Sequence, residues 1–377
     1  MKLTAQVRLQ LTLDQSGALL RTLEVANAAC NRLSQIAWES KQFGQFKLHK
    51  LAYHQIRQEF PLSAQMVVRL NAKVADAYKL DQQRQRTFRK HGSIAYDERI
   101  LSWNLTESRV SIWSVEGRLA IPFVCGEQQR ELLAFQRGET DLVFRDGNWF
   151  LLTTVDLPEA KKRAALDWIG VDLGIVTIAQ TSDGVRYAGG HLNGLRIRHH
   201  RLRKKLQAKG TRAAKRLLHK RRVKEGRFAT AINHKISKQI VTVAERTGHG
   251  IALEGLGGIR GRTRARKAQR GRLHSWAFGQ LQRFVVYKAE RAGVPVAFVD
   301  ARNTSRACAK CGHVDKRNRK NQAAFCCAAC GHRDNADANA AENIRRAAVN
   351  LPNLTGVEVS GVHGHVTRQS LVKSCLL

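Results

Sequence analysis

Eight cysteines stand in a chain of 377 residues, and five of them crowd into one short stretch. Cys308-Ala-Lys-Cys311 and Cys327-Ala-Ala-Cys330 are two CxxC pairs about fifteen residues apart. Each CxxC turn lets two sulfurs face one ion, and two such turns complete a tetrahedral four-thiolate site. Gly312 and Gly331 follow the pairs and free backbone amides to approach the sulfurs. Four reduced cysteines that merely pack would have no reason for paired spacing. The expectation is therefore one structural Zn2+ on Cys308, Cys311, Cys327 and Cys330, with no open coordination position. Cys326 is a fifth thiol, but only Cys327 keeps the two-residue gap to Cys330. His313 and His332 are ligand-capable too; thiolates are preferred at both turns.

Three acids carry a second chemistry. Asp172 lies in the apolar run Trp168-Ile-Gly-Val-Asp-Leu-Gly174, Glu254 ends the run Gly250-Ile-Ala-Leu-Glu254, and Asp337 opens the stretch Asp337-Ala-Asn-Ala-Ala-Glu-Asn-Ile344. A carboxylate in a buried strand is costly unless it is paired or binds a metal. Taken singly, the three could be a turn acid, a strand-end surface residue and a helix N-cap. Taken together, a strand with a central Asp, a hairpin, a strand ending in Glu and a helix starting with Asp resemble the layout of an RNase H-like nuclease. Phosphodiester hydrolysis there uses two divalent cations about 4 Å apart, neutralised by carboxylates. Hard oxygen ligands suit Mg2+. Asp183, in an Asp-Gly turn, and Asp300, at a strand end, read as structural.

The motifs Gly170-Val-Asp-Leu-Gly-Ile175, Leu253-Glu-Gly-Leu256, Thr304-Ser-Arg-Ala-Cys-Ala-Lys-Cys-Gly312, Phe325-Cys-Cys-Ala-Ala-Cys-Gly331 and Asp337-Ala-Asn-Ala-Ala-Glu-Asn-Ile344 occur in that order. Together they resemble the TnpB family, transposon-encoded RNA-guided nucleases related to compact type V CRISPR effectors. The resemblance spans about residues 168 to 346. It implies a RuvC-type active site of Asp172, Glu254 and Asp337 holding two Mg2+ ions. The family's D-x-N-A-A pattern selects Asp337 over Asp334, which is left as a supporting group or helix cap. The resemblance also implies a guide RNA and target DNA as partners, and Mg2+-dependent endodeoxyribonuclease activity encoded by a mobile element. A DNA transposase proper would use the same acids for strand transfer. A nuclease-independent RNA-guided repressor would not need them. A type V CRISPR effector is a further reading. The extra thiol of Cys326 and the density of charge after Arg196 depart from the family pattern.

The elements that must position these groups follow from periodicity. Leu3, Ala5, Val7, Leu9, Leu11 and Leu13 alternate with mostly polar residues, as in a half-buried strand. From about Ser16 to Leu80 the period becomes helical, with Leu19, Leu23, Ala26, Cys30 and Leu33 in register and a break at Pro61. Strand signals return from about Ser93. Val110–Val115 and Leu119–Phe123 flank Glu116-Gly117, and Leu142–Phe144 and Trp149–Val155 flank Asp146-Gly147, a good hairpin turn. The expected fold is α+β and multidomain. Residues 1–15 and 93–160 form a β-barrel, wedge-like by the resemblance, into which residues 16–92 insert as a helical recognition lobe. Residues 165–303 and 332–350 form the RuvC/RNase H-like α/β nuclease domain. Residues 304–331 are its zinc-binding insertion, and 351–377 a flexible tail.

Lys and Arg total 65 against 30 Asp and Glu, a net charge of +35. Hydrophobic residues at 43% exclude a disordered basic tail. Such self-repulsion calls for a polyanion, and nucleic acid bound by phosphate neutralisation would be salt-sensitive. About fifteen Lys or Arg fall between Arg196 and Arg227, with only Glu225 opposing. Like charges so dense destabilise an isolated helix. Arg196, Arg198, Arg201, Arg203, Lys204, Lys205, Arg212, Lys215, Arg216, Arg221 and Arg222 are candidate nucleic-acid contacts. Arg262, Arg264 and Arg266, in the second basic run from Arg260 to Arg272, join them. His199, His200, His219 and His249 read as surface residues, and Trp276 and Phe278 as core. No apolar run is long enough for a transmembrane helix, and Met1–Leu13 lacks a signal-peptide core. The expected setting is the cytoplasm at the nucleoid of a prokaryote, where thiols stay reduced and no membrane takes part.

Overall fold

A computed structural model describes residues 1–255, 278–321 and 323–351. The chain divides into two units, Met1–Pro158 and Glu159–Leu377. It is mixed α/β, with a near-closed sheet in the first unit and a four-cysteine cluster in the second.

In the first unit, β1 (Lys2–Leu9) leads into α1 (Leu13–Ser40). The expected alternation through Leu13 stops at Leu9 because Thr12 starts the helix. Its hydroxyl accepts from the Gln15 amide at 3.2 Å, and the Gln15 side chain accepts from the Thr12 amide at 3.2 Å. This reciprocal cap satisfies two otherwise unpaired donors, and Leu13 is left 92% exposed. Helix α1 buries Leu19, Leu23, Ala26, Cys30, Leu33 and Ala37, one stripe at three- and four-residue steps. Helices α2 (Gln45–Glu59) and α3 (Ala64–Leu80) follow, parted at Pro61 and restarted by the Ser63 cap. The strands β2 (Ile94–Tyr96), β3 (Leu101–Asn104), β4 (Arg109–Ser114), β5 (Gly117–Val124), β6 (Gln136–Arg145) and β7 (Asn148–Asp156) come next, with a short α4 (Glu127–Leu133) after β5. They join β1 in one antiparallel sheet of order β2-β6-β7-β1-β5-β4-β3. The Tyr96 hydroxyl on β2 donates to the Trp113 carbonyl on β4 at 3.1 Å, which draws the two ends of the sheet together. Asp146 and Gly147 both have positive φ (52° and 74°), the conformation a tight two-residue hairpin requires.

The second unit is built on a five-stranded sheet of order β10-β9-β8-β11-β12. Its strands are β8 (Trp168–Asp172), β9 (Thr177–Thr181), β10 (Arg186–Ala188), β11 (Gly250–Glu254) and β12 (Val296–Val299). The first three pair antiparallel, whereas β8–β11 and β11–β12 are parallel. Every residue of β11 is buried, as expected of a parallel strand covered on both faces. Ile251 and Leu253 pack with Ile236, Ile240, Leu281 and Val285. These come from α6 (Arg212–Thr247) and α7 (Phe278–Ala292). Ala252 packs with Ile344 and Ala348 of α8 (Ala336–Val349). Helix α5 (Gly190–Lys209) precedes α6, joined through Gly210 at φ 63° and the Thr211 cap. The basic stretch from Arg196 to Arg227 spans both helices, and its second half runs without a break into the buried Ile236 and Ile240 of α6.

Gly170 decides how close α8 can come. A Cβ at Gly170 would overlap the Ala341 carbonyl oxygen and the Arg345 amide. Arg345 then pins the same helix by donating to both Asp167 carboxylate oxygens, at 2.9 and 2.8 Å. Among the described residues, no helix is long and apolar enough to cross a membrane.

Candidate functional site

Asp172 is the last residue of β8 rather than its centre, and it lies at the edge where the strand gives way to a turn. Leu253 on β11 pairs in parallel with Val171, so Glu254 follows one step on, beside Asp172. Neighbouring strands stand about 4.8 Å apart, which sets these two carboxylates at close quarters. Asp337 comes from the helix that covers Gly170 and Ala252, as the second residue of α8. It is not the N-cap: Asn335 is, its side chain accepting from the Asp337 amide at 2.9 Å and the Ala338 amide at 3.3 Å. Asp337 is thereby free to point its carboxylate elsewhere while still sitting at the positive end of the helix dipole.

The electrostatics report the convergence. Burial pushes the Asp172 carboxyl up, and the charges of Glu254 and then Asp337 push it further, to about 7. Glu254, 8% exposed, is also raised by burial, with the Thr304 hydroxyl and the Arg319 charge pulling it back. Arg319 pairs with Asp337 at 3.3 Å, and its charge opposes the rise at Asp172 as well. Burial and two neighbouring acids thus disfavour ionisation of Asp172, and the carboxylates offer the hard oxygen donors a divalent cation takes. Asp334, by contrast, lies on β14 (Arg333–Asn335), accepts from the neighbouring Asn335 amide at 2.6 Å and stands 4.0 Å from His332 Nε2. Asp183 closes its own turn by accepting from Thr181, and Asp300 accepts from the Arg302 amide at 3.0 Å.

The four cysteines form a closed cluster. Cys308 and Cys330 sulfurs are 3.7 Å apart, Cys311 and Cys327 sulfurs 3.5 Å, and all four lie within 4.8 Å of one another. A tetrahedron with Zn–S near 2.3 Å has edges of about 3.8 Å, so the donor set fits zinc in both chemistry and size. Gly312 and Gly331 take φ of 76° and 69°, turning each knuckle back on itself. His313 and His332 serve through their backbone: their carbonyls accept from the Cys308 and Cys327 amides at 3.0 and 2.8 Å. Cys326 is on β13 (Ala324–Cys326), paired with Arg333, and is not among the clustered ligands. Asn318, fully buried, ties the two knuckles together. It donates to the Arg306 and His313 carbonyls and accepts from the Ala328 amide at 2.8 Å.

The basic stretch forms the hairpin of α5 and α6. Arg198, Arg201, Arg203, Lys204, Lys205, Arg212, Lys215, Arg216, Arg221 and Arg222 are exposed. Arg196 is not: its side chain is 12% exposed and pairs with Glu225 at 3.8 Å. His199, expected at the surface, is buried at 6%, with its ring nitrogen 3.0 Å from the same carboxylate. The one acid of the stretch thus binds the two helices together, and the remaining cations face outward. A groove of about 470 Å3 runs between the helices, floored by Leu202, Leu206 and Leu218 and edged by Arg203, Arg221 and Arg222. His200 and His219 are exposed and His249 half-buried. Arg262, Arg264, Arg266, Trp276, the Phe278 side chain and the tail beyond residue 351 lie outside the described residues.

Sequence reasoning missed Thr304, Arg319, Asn318, Asn339 and Asn343. The two last lie four apart on α8, Asn339 fully buried and Asn343 half-buried, and an Asn pair one turn apart is a readable signal. Thr304 opens the motif Thr304–Gly312, but nothing in that motif points to Glu254, and Arg319 sits in a loop with no pattern to mark it.

Comparison with known proteins agrees with this geometry. The Cas12f1-like, TNB domain family matches residues 278–344, the stretch from α7 through the cysteine cluster into α8. The second unit carries the motifs of a TnpB-like, compact type V protein, and the chain is related to that group. The CRISPR-associated endodeoxyribonuclease Cas12f1 of Sulfoacidibacillus thermotolerans is 33% identical over 218 residues, 53% of this chain and 50% of that protein. The TnpB-like protein MJ0751 of Methanocaldococcus jannaschii is 35% identical over 113 residues, 30% of this chain and 40% of that one. The chain thus spans about half the length, or less, of these curated relatives. A cryo-EM structure of a Cas12f1-sgRNA-target DNA complex shares the fold. Its TM-score is 0.54 at 17% identity, over 88% of this chain and 83% of that one.

Proposed function

We propose that this chain is an RNA-guided DNA endonuclease, hydrolysing phosphodiesters at a RuvC-like site of Asp172, Glu254 and Asp337. The observation that carries the reading is the convergence of three carboxylates from β8, β11 and the first turn of α8, where burial first, and then the charges of Glu254 and Asp337, push Asp172 up to about 7. Three antiparallel strands continued by two parallel ones, with the acids at the strand ends and on the covering helix, support an RNase H-like nuclease core over 165–303 and 332–350. The hard oxygen donors suit two Mg2+ ions, which when bound supply an activated water and stabilise the leaving oxygen. Glu254 and Asp337 are buried and held by neighbours, and Asp172 is half-buried at the end of its strand. Arg319 offsets part of the carboxylate charge.

The four cysteines hold one structural Zn2+ in the insertion 304–331. The exposed cations of α5 and α6 hold phosphate backbone, which positions a strand without reading its sequence. A guide RNA and target DNA are the polyanions that a Cas12f1-like relationship brings to such a surface. Residues 1–15 and 93–160 act as the wedge-like barrel and 16–92 as the recognition lobe.

The test begins with sequencing of the RNA that co-purifies when the protein is expressed with its native flanking DNA. A discrete structured RNA with a variable 3′ end, which then directs Mg2+-dependent cleavage lost in Asp172→Ala, is the expected result. Random cellular RNA together with strand joining in place of hydrolysis would overturn the reading in favour of a transposase.

A further inference from the structure

We propose that Thr304 is a positioning residue for the Glu254 carboxylate, holding one oxygen so that the other is presented to a divalent cation. The proposal rests on the reading of the acids as a divalent-metal site.

The geometry around Glu254 is specific. Thr304 Oγ1 lies 2.5 Å from Glu254 Oε1, in a setting where both side chains are 8% exposed. The same hydroxyl is 3.2 Å from the Ala301 carbonyl. A hydroxyl has one proton to donate, and the shorter contact to the charged oxygen takes it, because charge-assisted bonds are the stronger ones. The main chain of Glu254 is fixed separately, its carbonyl accepting from Gln282 Nε2 at 2.7 Å. Both the backbone and one carboxylate oxygen are therefore held, and no other hydrogen bond of Oε2 is found among the described residues.

Thr304 is itself held by the helix that carries Asp337. Asn343 donates to the Thr304 carbonyl at 2.8 Å and to the Ala307 carbonyl at 2.7 Å. One turn earlier, Asn339 donates to the Ala307 carbonyl and accepts from the Ala309 amide, inside the first cysteine knuckle. Helix α8 thus delivers Asp337 directly and sets Glu254 through the loop that it clamps. The cysteine cluster anchors the far end of that loop at Cys308. A hydrogen bond to a ligating carboxylate fixes its orientation, and its removal typically costs about 10- to 100-fold in metal affinity.

The experiment titrates Mn2+ into the full chain with zinc retained. It follows free Mn2+ by electron paramagnetic resonance for wild type, Thr304→Val and Thr304→Ser. The expected result is a ~10- to 100-fold weaker Mn2+ affinity in Thr304→Val, with zinc content and unfolding midpoint unchanged and near-wild-type affinity in Thr304→Ser. Wild-type affinity in Thr304→Val overturns the proposal. Should Thr304→Val fail to fold, Thr304→Ala is read in the same way. Failure of both to fold while Thr304→Ser folds overturns the proposal in favour of a purely structural role. A wild-type protein that binds no Mn2+, or binds it equally after Asp172→Ala, overturns the metal-site reading itself, and that result is distinct from an effect of Thr304.

Discussion

Asp172→Asn should stabilise the metal-free protein at pH 8 while abolishing its response to divalent cations. The Asp172 carboxyl moves from an ordinary 3.8 to about 7, through burial first, then Glu254 and Asp337. Each unit is worth about 1.4 kcal/mol, so ionising this side chain in the fold costs on the order of 4 kcal/mol, an upper bound because solvent reaches part of it. The folded value lies above the unfolded one. The group's contribution to stability is therefore complete below about pH 4 and is lost as pH rises through 7. Wild-type stability should fall across that window, and Asp172→Asn, isosteric and uncharged, should flatten the fall. The assay is urea unfolding with hydrogen-exchange protection of the β8 and β11 peptides, from pH 5 to 8. Buffers are cleared of divalent ions by a solid resin, so that the cysteine-bound metal stays. Mg2+ should restore stability to wild type at pH 8 and do nothing for the variant. Equal stability of the two proteins at pH 8, or a wild-type profile flat between pH 5 and 8, would refute the account of an Asp172 carboxyl raised by burial and by its two acidic neighbours.

Other outcomes follow from the same structure. Cys308→Ser should reduce zinc from one per chain to near none by elemental analysis, because the four sulfurs form one closed set; unchanged zinc content would mean that other ligands hold the ion. Gly170→Ala should push α8 off β8 at a cost of about 3 kcal/mol or more, read as a lowered unfolding midpoint and weakened Mn2+ binding with zinc retained. The double change Arg221→Ala and Arg222→Ala should weaken duplex binding. It should also make the slope of log affinity against log salt shallower by about 1.8, at ~0.9 for each phosphate no longer neutralised, with the unfolding midpoint unmoved.

What the sequence determined by itself is local. The CxxC spacing brings sulfurs in pairs to one side of a turn, so the cysteine cluster is legible from positions alone. The Asp146-Gly147 turn sets a hairpin because both residues tolerate positive φ, and the α1 stripe sets a buried face because its period matches 3.6 residues per turn. Local chemistry also explains where that reading slipped. The alternation to Leu13 lost to the Thr12–Gln15 cap, a competition settled within four residues of chain.

Tertiary structure decided the rest. Asp172, Glu254 and Asp337 are 82 and 83 residues apart in the chain (172 to 254 to 337). They meet only because β11 lies parallel to β8 and Gly170 lets α8 settle on the sheet. Charge pattern could mark α5 and α6 as basic, but not that Arg196 and His199 would turn inward to Glu225, since burial is set by which helix packs against which. Nothing in the neighbourhoods of Thr304 and Arg319 points to their partners. Their partners are Glu254, 50 residues upstream, and Asp337, 18 downstream. A loop residue gains meaning of that kind only when folding brings a distant carboxylate within reach of its one proton or charge.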